Sequence, residues 1–475
     1  MAKEKSRAEE LKESLCYEFK NQWDGLKDKE VKEIMSFNEG YKKALDAGKT
    51  EREFYDWTIA TLEKAGYKNL AEMDKVKAGD KVYRGVHGKG LLAAIAGSED
   101  PKNGFLLVGS HIDCPRLDLK PNPLYEKEEM ALLKTHYYGG IKKYHWVATQ
   151  LAIHGVAILK NGEKVNISVG EKDEDPVFTI TDLLPHLGKD QMSKKASEVI
   201  EGENLNVLIG GMPIEDTEVK DRYKMAILQL LNKEYGITER DLITAEIEVV
   251  PAHKARDVGF DRSFIGAYGQ DDRVCAYTSL QALLESKARE KTQGIFLFDK
   301  EEVGSDGNTG ACSALYMHAL NELHCKMLGR EPSVMELQES ISNTQLLSSD
   351  VSNAYDPNYP EVSDPLNTTY CSKGIGICKY TGSRGKGGTT DANAEYFNKV
   401  TRLFDEHEIP WQVGELGKVD QGGGGTIAKF FANYGMQVID CGVAVLSMHA
   451  CFEVTSKADV YNTYRAYHCF LNQAK

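Results

Sequence analysis

The chain has 475 residues, 41% of them apolar and 27% charged, a folded-protein composition that excludes a mainly disordered chain. Its 72 acidic residues outnumber its 58 basic ones, and the net charge of −14 disfavours nucleic acid or an anionic membrane surface as a bulk partner. No apolar run reaches the roughly 18 residues of a membrane span, and Met1-Ala2-Lys3-Glu4-Lys5 leads into a charged pattern without the apolar core of a secretory signal. The length predicts roughly two to four domains. Ten cysteines fall at irregular spacings with no CxxC, several inside apolar periodic segments such as Cys275 and Cys441. Without a signal segment they read as reduced, packed thiols of a cytoplasmic protein.

Residues 5–65 read as helices, with Leu11, Leu15, Phe19 and Trp23 at three-to-four-residue spacing among charges. Val82-Tyr83-Arg84-Gly85-Val86 and Leu91-Leu92-Ala93-Ala94-Ile95-Ala96 are short strand candidates around Gly88-Lys89-Gly90. Phe105-Leu106-Leu107-Val108-Gly109 is a continuous apolar run, the pattern of a strand buried on both faces of a parallel sheet.

From about residue 119 to 252 the rhythm changes. Ala157-Ile158-Leu159-Lys160-Asn161-Gly162-Glu163-Lys164-Val165 places an Asn-Gly turn between strand-like arms. Val207-Leu208-Ile209 and the alternating residues 243–250 add further strands. This stretch reads as an inserted β-rich domain (119–252) between two parts of an α/β domain (1–118 and 253–475). Beyond it, residues 272–290 read as a helix. Gly294-Ile295-Phe296-Leu297-Phe298, Gln345-Leu346-Leu347-Ser348, Val438-Ile439-Asp440 and Val443-Ala444-Val445-Leu446 read as strands. Strands alternating with helices predict a mostly parallel mixed sheet flanked by helices.

Polar clusters sit where these strands end or helices begin: Ser110-His111-Ile112-Asp113, Gln270-Asp271-Asp272-Arg273, Asp299-Lys300-Glu301-Glu302-Val303-Gly304, Ser348-Ser349-Asp350 and Ser447-Met448-His449-Ala450. Open α/β sheets bind ligands outside the carboxyl ends of their strands. Singly, each cluster reads as a capping group, a hydrogen-bonded histidine or a solvated charge pair. Together they offer the nitrogen and oxygen ligands that suit zinc, with cobalt or manganese also compatible. A two-metal hydrolytic site needs an imidazole and a carboxylate per ion, a bridging carboxylate, and one free carboxylate to accept a proton. Glu301-Glu302 can supply a ligand and a base, and Asp113 is placed to orient His111. The run Gln421-Gly422-Gly423-Gly424-Gly425-Thr426-Ile427 lacks the Lys-Ser/Thr ending of a phosphate loop and reads as a tight backbone approach lining a substrate cleft. No GxSxG elbow is present, which disfavours a serine hydrolase.

In this order, Gly109-Ser110-His111-Ile112-Asp113, Gln270-Asp271-Asp272-Arg273, Glu301-Glu302-Val303-Gly304-Ser305, Ser349-Asp350, Pro357-Asn358-Tyr359 and Ser447-Met448-His449 resemble the M18 family of metalloaminopeptidases, the aspartyl-aminopeptidase group, over nearly the whole chain. The resemblance implies a phosphorylase/hydrolase-like peptidase fold with an inserted dimerisation domain, and dimers assembled into a dodecamer. It implies two divalent ions, bridged by Asp271, with His111 and Asp350 on one and Glu302 and His449 on the other. Glu301 would be the base, and single residues would leave the free N-terminus of peptide substrates. His186, in Leu184-Pro185-His186-Leu187, matches a histidine that reaches a neighbouring subunit's site. Asn353 stands where acid-selective members carry histidine. Lys379 matches a substrate-pocket lysine, and Arg384 lies just beyond it. Acidic, basic and neutral first residues all remain open. Two alternatives stand beside this reading: an N-acyl amino acid deacylase, and a non-catalytic self-assembling scaffold of the same fold.

Overall fold

The computed structural model describes residues 5–474, so the Met1-Ala2-Lys3-Glu4 lead lies outside the described residues. Among the described residues the strands form three sheets. The largest has nine strands in the order Lys68–Asn69, Lys81–Val86, Gly90–Ile95, Gln293–Phe298, Leu106–His111, Gln345–Ser349, Gln437–Gly442, Ile375–Cys378 and Trp411–Val413. Its four central strands, from Gln293–Phe298 to Gln437–Gly442, run parallel. Antiparallel pairings flank them: the hairpin Lys81–Val86 with Gly90–Ile95, the join of Gly90–Ile95 to Gln293–Phe298, and Ile375–Cys378 against Gln437–Gly442. The sheet is therefore mixed, with a further parallel pair at each edge.

Strand parity divides the core into two layers. Leu106, Val108, Ile295, Leu347 and Ile439 face helices Asp28–Ala47, Glu51–Lys64, Gln270–Glu285 and Lys457–Gln473. Leu107, Phe296, Phe298, Leu346 and Val438 face Tyr316 and Phe431 of helices Ala314–Leu328 and Ala428–Asn433. Full burial of these strands on both sides explains why they are continuous apolar runs rather than alternating ones.

The second sheet is antiparallel throughout, in the order Lys164–Val169, Leu151–Ile158, Glu246–Pro251, Arg116–Lys127, Met130–Tyr138 and Asn206–Gly210. The Asn161-Gly162 turn joins its first two strands as expected; Gly162 takes a φ of 87°, and its N–H donates to the Leu159 carbonyl. A separate core holds it, around Leu117, Trp146, Leu151, Val249 and Val250. A small third sheet pairs Arg256–Val258, Phe264–Ala267, Glu453–Ser456, Ala444–Leu446 and Ser352–Asn353. All ten cysteines are free.

Some element bounds differ from the sequence expectation. The first helix stops at Leu15, and its Leu11 and Leu15 are exposed. Phe19 and Trp23 are not helical. Tyr17 and Phe19 pack on Trp411, and the Trp23 indole donates to the Ser372 hydroxyl, so tertiary anchoring of aromatic groups overrides the helical spacing. Residues 438–446 do not continue in one sheet. Gln437–Gly442 belongs to the main sheet and Ala444–Leu446 to the third. Ile243 ends the helix Glu239–Ile243 before the strand Glu246–Pro251 begins.

The second sheet is tied to the main body through a buried imidazole. His154 lies between Glu53 of helix Glu51–Lys64 (2.7 Å) and Glu171 (3.0 Å), and Lys49 also reaches Glu171 at 2.7 Å. Burial opposes the charge, but the two carboxylates outweigh it and raise His154 from 6.5 to about 9. A raised folded-state pKa gives stabilisation that is complete below the unfolded value and is lost as pH climbs through the folded one. The stability gap between wild type and His154→Gln should therefore be widest near pH 6 and narrow by up to about 3 kcal/mol toward pH 10, read by denaturant unfolding across that range.

Candidate active site

Three of the four parallel strands of the main sheet deliver their chemistry at their carboxyl ends. Leu106–His111 ends on His111, Gln293–Phe298 leads into Asp299 and the turn Glu301–Val303, and Gln345–Ser349 leads into Asp350. The register aligns Phe298 with His111, which brings the Glu301-Glu302 turn beside the imidazole. Asp271 enters from the start of helix Gln270–Glu285, and the Asp271–Asp272 peptide is cis. His449 comes from the turn after Ala444–Leu446, with a φ of 63°.

These side chains converge on one space. The two oxygens of Asp271 face different imidazoles: Oδ1 lies 3.2 Å from His111 Nε2, and Oδ2 lies 3.1 Å from His449 Nε2. His111 Nε2 is also 3.8 Å from Asp350 Oδ1 and 4.0 Å from Glu301 Oε2. His449 Nε2 is 3.5 Å from Glu302 Oε2. His111, Asp271 and Glu302 present ligand atoms within 4.8 Å of one another, and so do His111, Asp272 and Asp350.

The donor set fits metal ions. Asp271 Oδ1, Glu302 Oε1 and Asp272 Oδ1 are buried without a hydrogen-bond partner. Such orphaned acceptors are costly unless a cation meets them. Two atoms bound tetrahedrally to one zinc lie about 3.3 Å apart, close to the Asp271–imidazole spacings. Charge crowding points the same way. Burial and the Asp350 charge push Glu301 up to about 8. Burial and Asp271 push Glu302 well above the usual carboxylate range, and burial with Asp350 does the same to Asp272. Burial disfavours a charged His449, but Asp271 and Glu302 outweigh it and raise that imidazole to about 11.

Two further carboxylates hold this arrangement in place. Asp113 accepts from the backbone N–H groups of Glu301 (3.1 Å) and Glu302 (3.2 Å) and from the Tyr138 hydroxyl (2.8 Å), and its Oδ1 sits 3.3 Å from His111 Nδ1. His111 Nδ1 also lies 3.0 Å from the Asp113 carbonyl oxygen, and donating there leaves Nε2 free toward the site. Glu453 plays the matching part on the other side, accepting from the N–H groups of Gln270 (2.6 Å), Asp271 (3.1 Å) and His449 (2.8 Å). His449 Nδ1 donates to the Gly140 carbonyl at 2.8 Å.

Glu453, Tyr138 and Gly140 were not singled out from sequence. Glu453 follows His449 by four residues, and Tyr138 precedes a Gly-Gly pair; those spacings were the available signals. Asp272, which the sequence offers only within Gln270-Asp271-Asp272-Arg273, accepts from the His111 N–H at 3.3 Å and is fully buried. The cavity over the cluster has a volume of about 520 Å³, with Ser352, Cys378, Tyr380, Leu416 and Met448 in its lining. The other expected substrate contacts stand outside that lining. Lys379 is half exposed and points toward Asp391 at 3.9 Å, because Cys378 and Tyr380 take the cavity side of the chain. Asn353 sits in the third sheet, where its carbonyl accepts from Thr369. Arg384 lines an adjoining cavity of about 380 Å³. His186 is exposed on a loop.

An α/β sheet that gathers two imidazoles and several buried carboxylates at its strand ends defines a metal-dependent hydrolase. Residues 44–471 match the family model described as "Aminopeptidase I zinc metalloprotease (M18)". The chain is 52% identical to the probable M18 family aminopeptidase 1 of Clostridium acetobutylicum over 462 residues, 96% of this chain and 99% of that protein. It is similar to the crystal structure of the Thermotoga maritima M18 aminopeptidase, with 48% identity, a TM-score of 0.92, and coverage of 96% of this chain and 100% of the other. The yeast mApe1 dodecamer, 21% identical over 91% of this chain and 95% of its own, shares the fold with a TM-score of 0.72. The chain belongs to the M18 family and is a metallo-aminopeptidase of a zinc-dependent class.

Removing the support should loosen the metal before it disturbs the fold. Asp113→Asn is expected to lower metal affinity by roughly 10–100-fold, and Tyr138→Phe by less, because it removes one of several bonds to the same carboxylate. The chelator concentration that halves bound zinc in each variant, with circular dichroism as a folding control, measures the order.

Proposed function

We propose that the protein is a dinuclear aminopeptidase that removes single residues from the free N-terminus of peptides. The observation that carries this reading is the division of the Asp271 carboxylate between two imidazoles, at 3.2 and 3.1 Å. Asp271 is assigned as the bridge, His111 and Asp350 as partners at one ion, and Glu302 and His449 as partners at the other. Zinc is the favoured ion on the family description, and cobalt or manganese suit the same donors. When bound, the ions supply Lewis-acid polarisation of the scissile carbonyl and acidify water.

The chain's own residues supply the rest. Glu301 lies 4.0 Å from His111 Nε2 and carries no assigned ligand role, so it takes the proton of the attacking water and passes it to the leaving amine. Asp113 fixes the Glu301-Glu302 turn and the His111 tautomer, and Glu453 fixes the backbones of Asp271 and His449. The requirement for a free α-amine separates this reading from a deacylase of blocked amino acids. Arg384 is assigned to the outer cleft through its adjoining cavity. Lys379 and Asn353 are assigned to substrate contact on sequence resemblance alone, and His186 to the site of a neighbouring subunit.

Residues 119–252 are proposed as a dimerisation domain. Support comes from an apolar groove of about 1150 Å³ between strand Asn206–Gly210 and helix Arg222–Tyr235, where Met212, Met225 and Leu230 are exposed. A dodecamer of such dimers is proposed by analogy with the yeast relative. A cytoplasmic location is proposed from the free cysteines. Among the described residues no helix is long and apolar enough to cross a membrane.

Glu301→Gln should retain two zinc equivalents and the wild-type native mass yet lose roughly 10²–10⁴-fold in kcat on leucine p-nitroanilide. Full activity in that variant, or one metal per chain by elemental analysis, would contradict the assignment.

A further inference from the structure

The glycine run 422–425 has two structural halves. A Cβ on Gly422 would collide with the Leu416 carbonyl, and one on Gly423 with the Gly382 carbonyl, so these two positions are glycine for packing between loops. Gly425 is different. Its Cβ position is open, and its nearest neighbour is the Lys429 ammonium at 3.9 Å. The metal-site cavity is lined by Gly423, Gly424, Gly425, Thr426 and Lys429 along this stretch. Among the described residues, the N–H groups of Gly423, Gly424, Gly425 and Thr426 donate to nothing. They lie in the loop ahead of the cap of helix Ala428–Asn433 and are not part of that helix.

Lys429 is the lysine in this cavity's lining, which also carries His449 and the carboxylates of Asp271, Glu301, Glu302 and Asp350. It makes no ion pair among the described residues and rests over the Phe430 ring at 4.7 Å. A free ammonium beside a run of unpaired N–H donors is a cradle for an oxygen anion. In a chain of net charge −14, a local attraction of this kind is needed for a negative group to enter.

The geometry points to a carboxylate subsite formed by Lys429 and the amides of residues 424–426, which takes the terminal carboxylate of a short peptide whose amino end is at the metal cluster. The inference rests on the aminopeptidase reading and extends it to the substrate class: di- and tripeptides with a free carboxyl end. Every short peptide carries that group whatever its sequence. Because subsite and cluster share one cavity of about 520 Å³, long chains and blocked carboxyl ends gain nothing from it.

The test compares zinc-loaded full-length enzyme on Leu-Gly and Leu-Gly-Gly with the same peptides amidated at the carboxyl end. Wild type should favour the free acids by about tenfold or more in kcat/KM. Lys429→Gln should bring that ratio close to one, and Lys429→Arg should restore it. A wild-type ratio near one, or a ratio unchanged in Lys429→Gln, overturns the subsite. So does an effect of Lys429→Gln confined to aspartyl over asparaginyl p-nitroanilide, which would assign the cation to an acidic first side chain. Leucine p-nitroanilide carries no carboxylate. Its cleavage by wild type keeps the aminopeptidase reading intact in each of these cases, and its failure would sink that reading and the subsite together.

Discussion

Negative charge crowded into a buried space is the constraint on which the rest of the structure depends. Asp271, Asp272, Glu301, Glu302 and Asp350 meet at the ends of the parallel strands, with His111 and His449 between them. Like charges at these separations, shielded from water, raise one another's pKa and leave acceptor oxygens without donors. Cations compensate that crowding, which is why the cluster reads as a metal site rather than a loose acidic patch.

The same constraint explains the supporting carboxylates. Asp113 and Glu453 are themselves buried, and each spends its oxygens on backbone N–H groups of the residues that carry the cluster. They fix main-chain positions, so the side chains that point inward cannot swing away from one another to relieve their repulsion. The second sheet takes part in this. Tyr138 bonds to Asp113, and the Arg116 guanidinium lies 3.9 Å over the Tyr138 ring while it pairs with Glu248 and Glu51. Gly140 sets the His449 ring through its carbonyl. The β-rich stretch is thus coupled to the cluster on both sides, although its hydrophobic core is its own.

Much of the fold was legible because burial leaves a periodic trace. Runs such as Leu106-Leu107-Val108 and Ile295-Phe296-Leu297 are apolar at every position because both faces of the sheet are covered. Asn161-Gly162 is legible because only a few residue types accept the turn it makes. The reading failed at residues 16–24, where helical spacing of aromatic groups meant nothing once Trp411 and Ser372 offered them a surface. Position relative to the cavity was not legible at Lys379. Strand alternation puts its neighbours Cys378 and Tyr380 into the cavity and turns the lysine toward Asp391.

By itself the sequence determined which residue types stand at strand ends and helix starts, since hydrophobic periodicity marks where each element stops. It therefore marked the clusters that hold His111, Asp271, Glu301, Glu302, Asp350 and His449, while their selection as ligands and base is what the resemblance to the M18 family implies. Only the tertiary structure decided that Asp271 faces both imidazoles, that Glu453 and Tyr138 support the cluster, and that Lys429 lines the cavity while Lys379 does not. The physical reason is separation along the chain. Periodicity is a local property, whereas a hydrogen bond between Tyr138 and Asp113, or a shared space between His111 and His449, depends on strand order and on the angle at which loops return, which no local pattern encodes.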